Sequence, residues 1–340
     1  MYKIIFGLLF SFPLFGQTFH VWSEFQAYTE VKSQLPFLKK HNVILHLAIN
    51  QNDFNNQEKF EQFSDVLREA KIQKVGVYLW PLLPEENGYW PNSSNIDLFL
   101  NYLDHLIDKL ETQKLKFDGV SFDLEPAPEF TRNMLSYLKH FQINKLIGYL
   151  NQFCDNTGAN AHFQLRLSDY VSKLNSAFIK THLVTTSYVL DDLNKGQDKI
   201  QLTFGIPLIY NALEYSFMVY STDFKNFLGK ISSYPVYEYG VIAKKYFPTK
   251  KLALDLGLIG EVNFPSSTHG YKKSEQIKDD IRASLAAGIN RVNYYSLEGL
   301  IATKRPDSWF MKVKGKVPHK SLKWILYKKV LDKIYSRICK

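Results

Sequence analysis

The stretch Phe117-Asp118-Gly119-Val120-Ser121-Phe122-Asp123-Leu124-Glu125-Pro126 decides how the rest of the chain is read. A strand alternates its faces, so Ser121, Asp123 and Glu125 point one way while Val120, Phe122 and Leu124 point the other. Carboxylates on an otherwise apolar strand are costly to bury unless they are partnered or used. Pro126 cannot donate a ladder hydrogen bond and ends the strand. The segment reads as a buried strand whose carboxyl end presents two acids to one side, the arrangement that acid catalysis on a polar substrate needs.

Working outward, apolar strand-like runs recur at Phe19–Glu24, Val43–Asn50, Lys74–Leu82, Phe117–Glu125, Phe163–Ser168, Tyr215–Thr222, Leu252–Ile259 and Arg291–Leu297. Between them lie helical patterns, such as Phe60, Phe63, Val66, Leu67 and Phe99, Leu103, Leu106, Ile107, Leu110. Further helices are expected from about Met134 to Phe153 and from Ile277 to Ala287. Strands alternating with helices imply parallel pairing through right-handed crossovers. Eight such units predict an α/β chain of the (β/α)8 TIM barrel type, a fold of typically about 250 residues. The alternative is a doubly wound sheet. It would place a Gly-rich phosphate turn after the first strand, and no G-x-G-x-x-G occurs in the chain. Leu183–Leu190 could be an extra strand, and Asp191–Gln201 reads as a polar loop. In a barrel the active site sits at the carboxyl ends of the strands, where Asp123 and Glu125 fall.

Residues 1–16 read as a secretory leader: Lys3 in a short positive start, an apolar run from Ile4 to Phe15, then Gly16. The run is shorter than the roughly 20 apolar residues of a membrane span. Residues 17–318 form the expected barrel and 319–340 a basic amphipathic helix, and the expected location is secreted or periplasmic. Of the 42 Lys and Arg, 12 lie in residues 301–340 beside Asp307 and Asp332; the remaining 300 residues carry 30 basic and 31 acidic groups. The net charge of +9 is thus a property of the tail and gives no reason to expect nucleic acid as a partner. The tail stripe Leu322, Ile325, Leu326, Val330, Ile334 and Ile338 suits a last barrel helix, or contact with an anionic surface through Lys323, Lys328, Lys329, Lys333 and Arg337. Cys154 and Cys339 give no spacing pattern, and two unpaired thiols are expected.

The segment Asp118–Glu125 resembles the fourth-strand signature D-G-x-D-x-D-x-E of the chitinase-like glycoside hydrolases of family 18, with Ser121 in place of one Asp. Met218-Val219-Tyr220-Ser221, with Asp223 two places on, is similar to their sixth-strand M-x-Y-D. Asn293-Tyr294-Tyr295-Ser296-Leu297-Glu298 is similar to their eighth strand, with Tyr295 where a Trp stands. The three elements agree in order and spacing over residues 117–298. Lys74-Val75-Gly76-Val77-Tyr78-Leu79-Trp80 replaces the third-strand S-x-G-G.

The resemblance implies hydrolysis of glycans containing β-linked N-acetylhexosamine, with an oligo- or polysaccharide as substrate and no cofactor or metal. Glu125 would be the general acid. Asp123 would hold the N–H of the sugar's 2-acetamido group, which serves as nucleophile, and Tyr220 would meet the developing charge. Same-face neighbours on a strand stand about 7 Å apart, close enough to serve one sugar ring. Ser121 can donate a hydrogen bond to Asp123. Trp80, Tyr295, Met218, Asp255 and Asp223 are the remaining expected substrate contacts. Trp22, Tyr78, Tyr89 and Trp90 complete an aromatic set near the strand ends, with Trp22 read as core, and His46 reads as a core histidine. Two other readings stay open. One is a carbohydrate-binding protein on a degenerate barrel. The other is a retaining glycosidase pairing Glu125 with Glu298 or Glu261.

Overall fold

The computed structural model describes residues 16–340 except 141, 230 and 263–267. The expected leader therefore lies almost wholly outside the described residues. Seven strands follow in order: β1 (Thr18–Ser23), β2 (Ile44–Asn50), β3 (Val77–Leu82), β4 (Gly119–Leu124), β5 (Lys180–Thr186), β6 (Glu214–Met218) and β7 (Lys251–Gly257). A short antiparallel hairpin, β8 (Glu261–Val262) and β9 (Thr268–His269), precedes β10 (Arg291–Tyr295). All pairings among β1–β7 and β10 are parallel, and β1 pairs with both β2 and β10. The eight strands thus close into a (β/α)8 TIM barrel.

The outward residues of each strand meet the helices. On β4 these are Val120, Phe122 and Leu124, all fully buried. The helix Ile96–Thr112 covers this part of the barrel with Phe99, Leu103, Leu106 and Leu110 at helical spacing, each without solvent exposure. The helix Gln57–Gln73 starts where the Asn56 side chain accepts the Lys59 N–H at 3.0 Å, and it ends on a left-handed Lys74 (φ 57°). Gly119 opens β4 because nothing larger fits: a Cβ there would stand 2.5 Å from the Tyr78 ring and 2.6 Å from the Lys180 carbonyl.

Four expectations are corrected. Phe163–Ser168 is not a strand but part of the helix Thr157–Ser176. The alternation of Phe163, Leu165 and Leu167 imitates a strand, yet Leu165 is 61% exposed. The buried set is Phe163, Leu167, Tyr170, Val171 and Leu174, which has the helical period. The fifth strand is instead Lys180–Thr186, overlapping the suspected extra strand 183–190. Asp191–Gln201 is not a loop: two short helices, Tyr188–Lys195 and Lys199–Phe204, carry it, with Asp191 and Asp192 buried. The single helix expected over Met134–Phe153 is two, Pro128–Lys139 and Ile143–Asn151.

The cysteines are not free thiols. Cys154 and Cys339 form a disulfide across 185 residues, with Cα atoms 5.2 Å apart. Their pairing follows from the packing of the helix Leu322–Tyr335, which the sequence stripe placed out of phase. Trp324, Ile334, Tyr335 and then Ile338 are buried, whereas Leu322, Leu326 and Val330 are exposed. Trp324 packs edge-on against Phe224 and Tyr239, and Lys328 pairs with the buried Asp191. This seat carries the chain end back to the helix Ile143–Asn151, where Asn151 accepts the Cys339 N–H at 2.9 Å. The bridge restricts the unfolded chain, so reducing it should lower stability by about 2–4 kcal/mol. Denaturant midpoints of the native protein with and without reductant, alongside Cys154→Ser, check this: the reductant shift should vanish in the variant.

Candidate active site

The inward side chains of the barrel are polar along most of its length. Near the middle, His20 Nδ1 and His46 Nε2 lie 2.8 Å apart and His46 Nδ1 is 2.7 Å from Ser121 Oγ. Ser121 Oγ also stands 3.4 Å from His182 Nδ1. All four residues are buried. Burial above all, and then the charge of Arg291, hold the three imidazoles well below their usual pKa, so the chain of rings is neutral. Ser121 thus belongs to a histidine network one layer below the acids; its hydroxyl meets His46 and His182, where the sequence suggested Asp123.

Above this layer the strand ends carry the acids. Asp123 is 6% exposed, and its Oδ1 finds no hydrogen-bond partner among the described residues. Burial raises its pKa strongly, and Glu125, Asp255 and Glu24 add to the shift. Glu125 is half-buried: protein surrounds the carboxyl while part of the side chain reaches solvent. Its pKa is lifted to about 8 by burial first, then by Glu24, Asp223 and Asp255. A carboxylic acid at this position stays protonated at neutral pH and can donate its proton. Tyr220, just past β6, is half-buried within the field of Asp255, Glu125, Asp123 and Asp223, and burial with these charges keeps its hydroxyl protonated. Asp255 accepts the Trp22 indole N–H at 2.8 Å, and burial raises its pKa. Asp223 lies in the first turn of the helix Ser221–Leu228 with its side chain exposed at the rim.

One acid of this group was missed. Glu24 follows β1 directly, and its two oxygens receive the hydroxyls of Tyr89, at 2.6 Å, and Tyr295. Burial lifts its pKa to about 7 against the opposing effect of both tyrosines. The signal was present: Glu24 continues the inward parity of His20 and Trp22, as Glu125 continues that of Ser121 and Asp123. By contrast, Oε1 of Glu298 receives Ser23 Oγ at 2.9 Å and the backbone N–H groups of Glu24, Phe25 and Gln26 at 2.8–3.2 Å. It fixes the loop that presents Glu24. Glu261, at the start of the hairpin strand β8, is exposed.

Aromatic rings wall the same end. Trp22, Trp80, Tyr89 and Trp90 form one buried cluster with Ala48, Leu82 and Val184, and Met218 and Tyr295 pack against it. Trp22 is buried as expected of core but is also part of the site wall, lying flat on His46 at 4.0 Å and edge-on to Trp80 at 4.8 Å. The buried indole N–H of Trp80 has no acceptor among the described residues. Tyr78 is not in this group; it faces the opposite end of the barrel, beside His20. A groove of about 840 Å3 is lined by Glu85, Asn87, Ser93, Asp97, Pro128 and Arg132 and by none of the acids or rings above.

No protein-family model and no curated protein matches the chain. Solved structures do. It is similar to the Family 1 β-glucosidase from Thermotoga maritima, at 12% identity over 79% of this chain and 77% of that one, with a TM-score of 0.51. It is similar to a fungal β-1,4-galactanase at 10% identity over 84% and 90%, with a TM-score of 0.50. A family 18 chitinase from Pseudoalteromonas aurantia aligns with 86% of this chain and 98% of itself at 10% identity and a TM-score of 0.46. The first two likenesses agree with the barrel fold and show nothing beyond it. What occurs at its mouth rests on the residues themselves.

Those residues make a pH prediction. A carboxyl whose folded pKa exceeds its unfolded value stabilises the fold only while protonated. Stability from Glu125 is therefore full below the usual carboxylate range and is lost as pH rises through about 8. The buried histidines act oppositely, on the acid side of their usual value. Replacing Glu125 by Gln isolates the first effect. Melting temperatures across pH 5–9 (roughly the span between the two carboxyl values) should show E125Q gaining on the native protein as pH rises.

Proposed function

We propose that this protein is an exported glycoside hydrolase that cleaves glycans containing β-linked N-acetylhexosamine by substrate-assisted acid catalysis. The observation that carries the reading is Glu125, an acid held neutral near pH 7 at the carboxyl end of β4, with Asp123 and Tyr220 sharing its field. Glu125 gives its proton to the leaving glycosidic oxygen as the C1–O bond breaks. The acetamido carbonyl oxygen closes on C1, and Asp123 takes the hydrogen bond of the acetamido N–H, which grows acidic as the ring forms. Water then opens the ring and returns a proton to Glu125. The free Oδ1 of Asp123 and the free indole N–H of Trp80 give a hydroxyl- and amide-rich ligand an acceptor and a donor. The aromatic wall suits the apolar faces of sugar rings. Similarity in fold to enzymes acting on glycosides is consistent with this chemistry. Export is supported by the leader pattern of residues 1–16 and by a disulfide, which persists in oxidising compartments.

Glu24 favours a second reading, a retaining glycosidase in which it, rather than Glu298 or Glu261, is the nucleophile opposite Glu125. Two tyrosine hydroxyls orient it, whereas an oxygen of Glu298 is committed to backbone. Hydrolysis of N-acetylglucosamine oligosaccharides and of the matching glucose oligosaccharides separates the two. Substrate assistance requires turnover of the first only, falling as pH rises above about 8. E125Q should lose about 10²–10⁴-fold in kcat. Equal turnover of both substrates, abolished in Glu24→Gln, replaces the first reading with the second. Tight sugar binding without turnover makes the protein a lectin on this barrel.

A further inference from the structure

The acids occupy one end of the barrel, and the other end carries the opposite charge. At the amino ends of the strands a cavity of about 300 Å3 is lined by Lys39, Lys74, Lys180, Lys251 and Arg291 against a single carboxylate, Glu214. Lys180, Glu214, Lys251 and Arg291 are the first residues of β5, β6, β7 and β10, so barrel closure gathers them in a ring around the axis. Glu214 is already shared: Arg291 Nη1 donates to its Oε2 at 2.5 Å and Lys251 Nζ lies 3.6 Å from its Oε1. Asp118, the next acid at this end, is turned to the Val77 N–H at 2.9 Å.

Arg291 makes the ring more than a solvated basic rim. It is only 8% exposed, and its Nε and Nη2 are buried with no acceptor among the described residues. A guanidinium presents five N–H donors in a fixed fork matched to carboxylate, sulfate and phosphate oxygens. Glu214 uses one edge of the fork. The other is desolvated beside three exposed lysines, Lys39, Lys74 and Lys180, that no carboxylate in the cavity wall offsets. A structural ion pair needs one cation for Glu214; five are present.

We infer that this end of the barrel is a binding site for a small tetrahedral oxyanion, phosphate or sulfate, free or as the ester of a sugar. The oxyanion would receive the free N–H groups of Arg291 and be enclosed by Lys74, Lys180 and Lys39, while Glu214 fixes the guanidinium plane. The site is independent of the reaction at the opposite end, so its failure and that of the glycosidase reading are separate outcomes.

The test is titration calorimetry of the whole protein with sodium phosphate, sodium sulfate and a hexose 6-phosphate, at one ionic strength held with chloride. At least one should bind at 1:1 stoichiometry, and the double variant Lys74→Ala/Lys180→Ala should weaken it tenfold or more. Both lysines are exposed, so the variant should keep the melting temperature of the ligand-free protein. Binding of the inorganic ions assigns the site to the free anion; binding of the ester alone assigns it to a phosphorylated sugar. No saturable binding of any probe, or affinity unchanged in the double variant, overturns the inference.

Discussion

Closing a parallel sheet into a barrel leaves every second side chain nowhere to go but the axis, and in this chain the axis is polar. Each group there must be neutralised, hydrogen-bonded or matched by a ligand, because the walls exclude bulk water. The molecule meets that demand in layers. Arg291 and Glu214 compensate each other at the amino end, neutral histidines share hydrogen bonds through Ser121 in the middle, and protonated carboxyls crowd the carboxyl end. The acids gather at one mouth and the cationic groups at the other, with neutral imidazoles between them.

The division of labour between the two faces of each strand follows. Val120, Phe122 and Leu124 hold the barrel against its helices, while Ser121, Asp123 and Glu125 face the axis, where burial opposes the ionised form of the acids. The same division explains why Glu298, half-buried at the same end, differs from Glu24. One carboxylate accepts backbone N–H groups and shapes a loop; the other accepts two phenol hydroxyls.

Period and terminal residues made much of this legible. The runs around Glu24, Asn50, Leu82, Glu125 and Tyr295 carry apolar residues on both faces or acids at one end, and they fold as read. Phe163–Ser168 misled because a six-residue window cannot distinguish alternation from a helix whose Leu165 faces solvent. The tail stripe failed for a related reason. Tertiary packing, through Trp324 on Phe224 and Lys328 on Asp191, chose a different face of the helix from the one aliphatic spacing suggested. The Ser121 contact was illegible because its partners, His46 and His182, come from other strands and meet only once the barrel closes. Glu24 was legible and passed over, since its strand lacked the companion acid that drew attention to β4.

The bridge between Cys154 and Cys339 makes a covalent loop that contains β5, β6, β7 and β10, half the barrel wall. A single proteolytic cut anywhere between the two cysteines would leave both fragments in one molecule. Their effective concentration would remain that of an intramolecular encounter, so the severed halves could stay packed as a barrel. Where a protease reaches the chain, this is resistance to the consequence of cleavage rather than to cleavage itself.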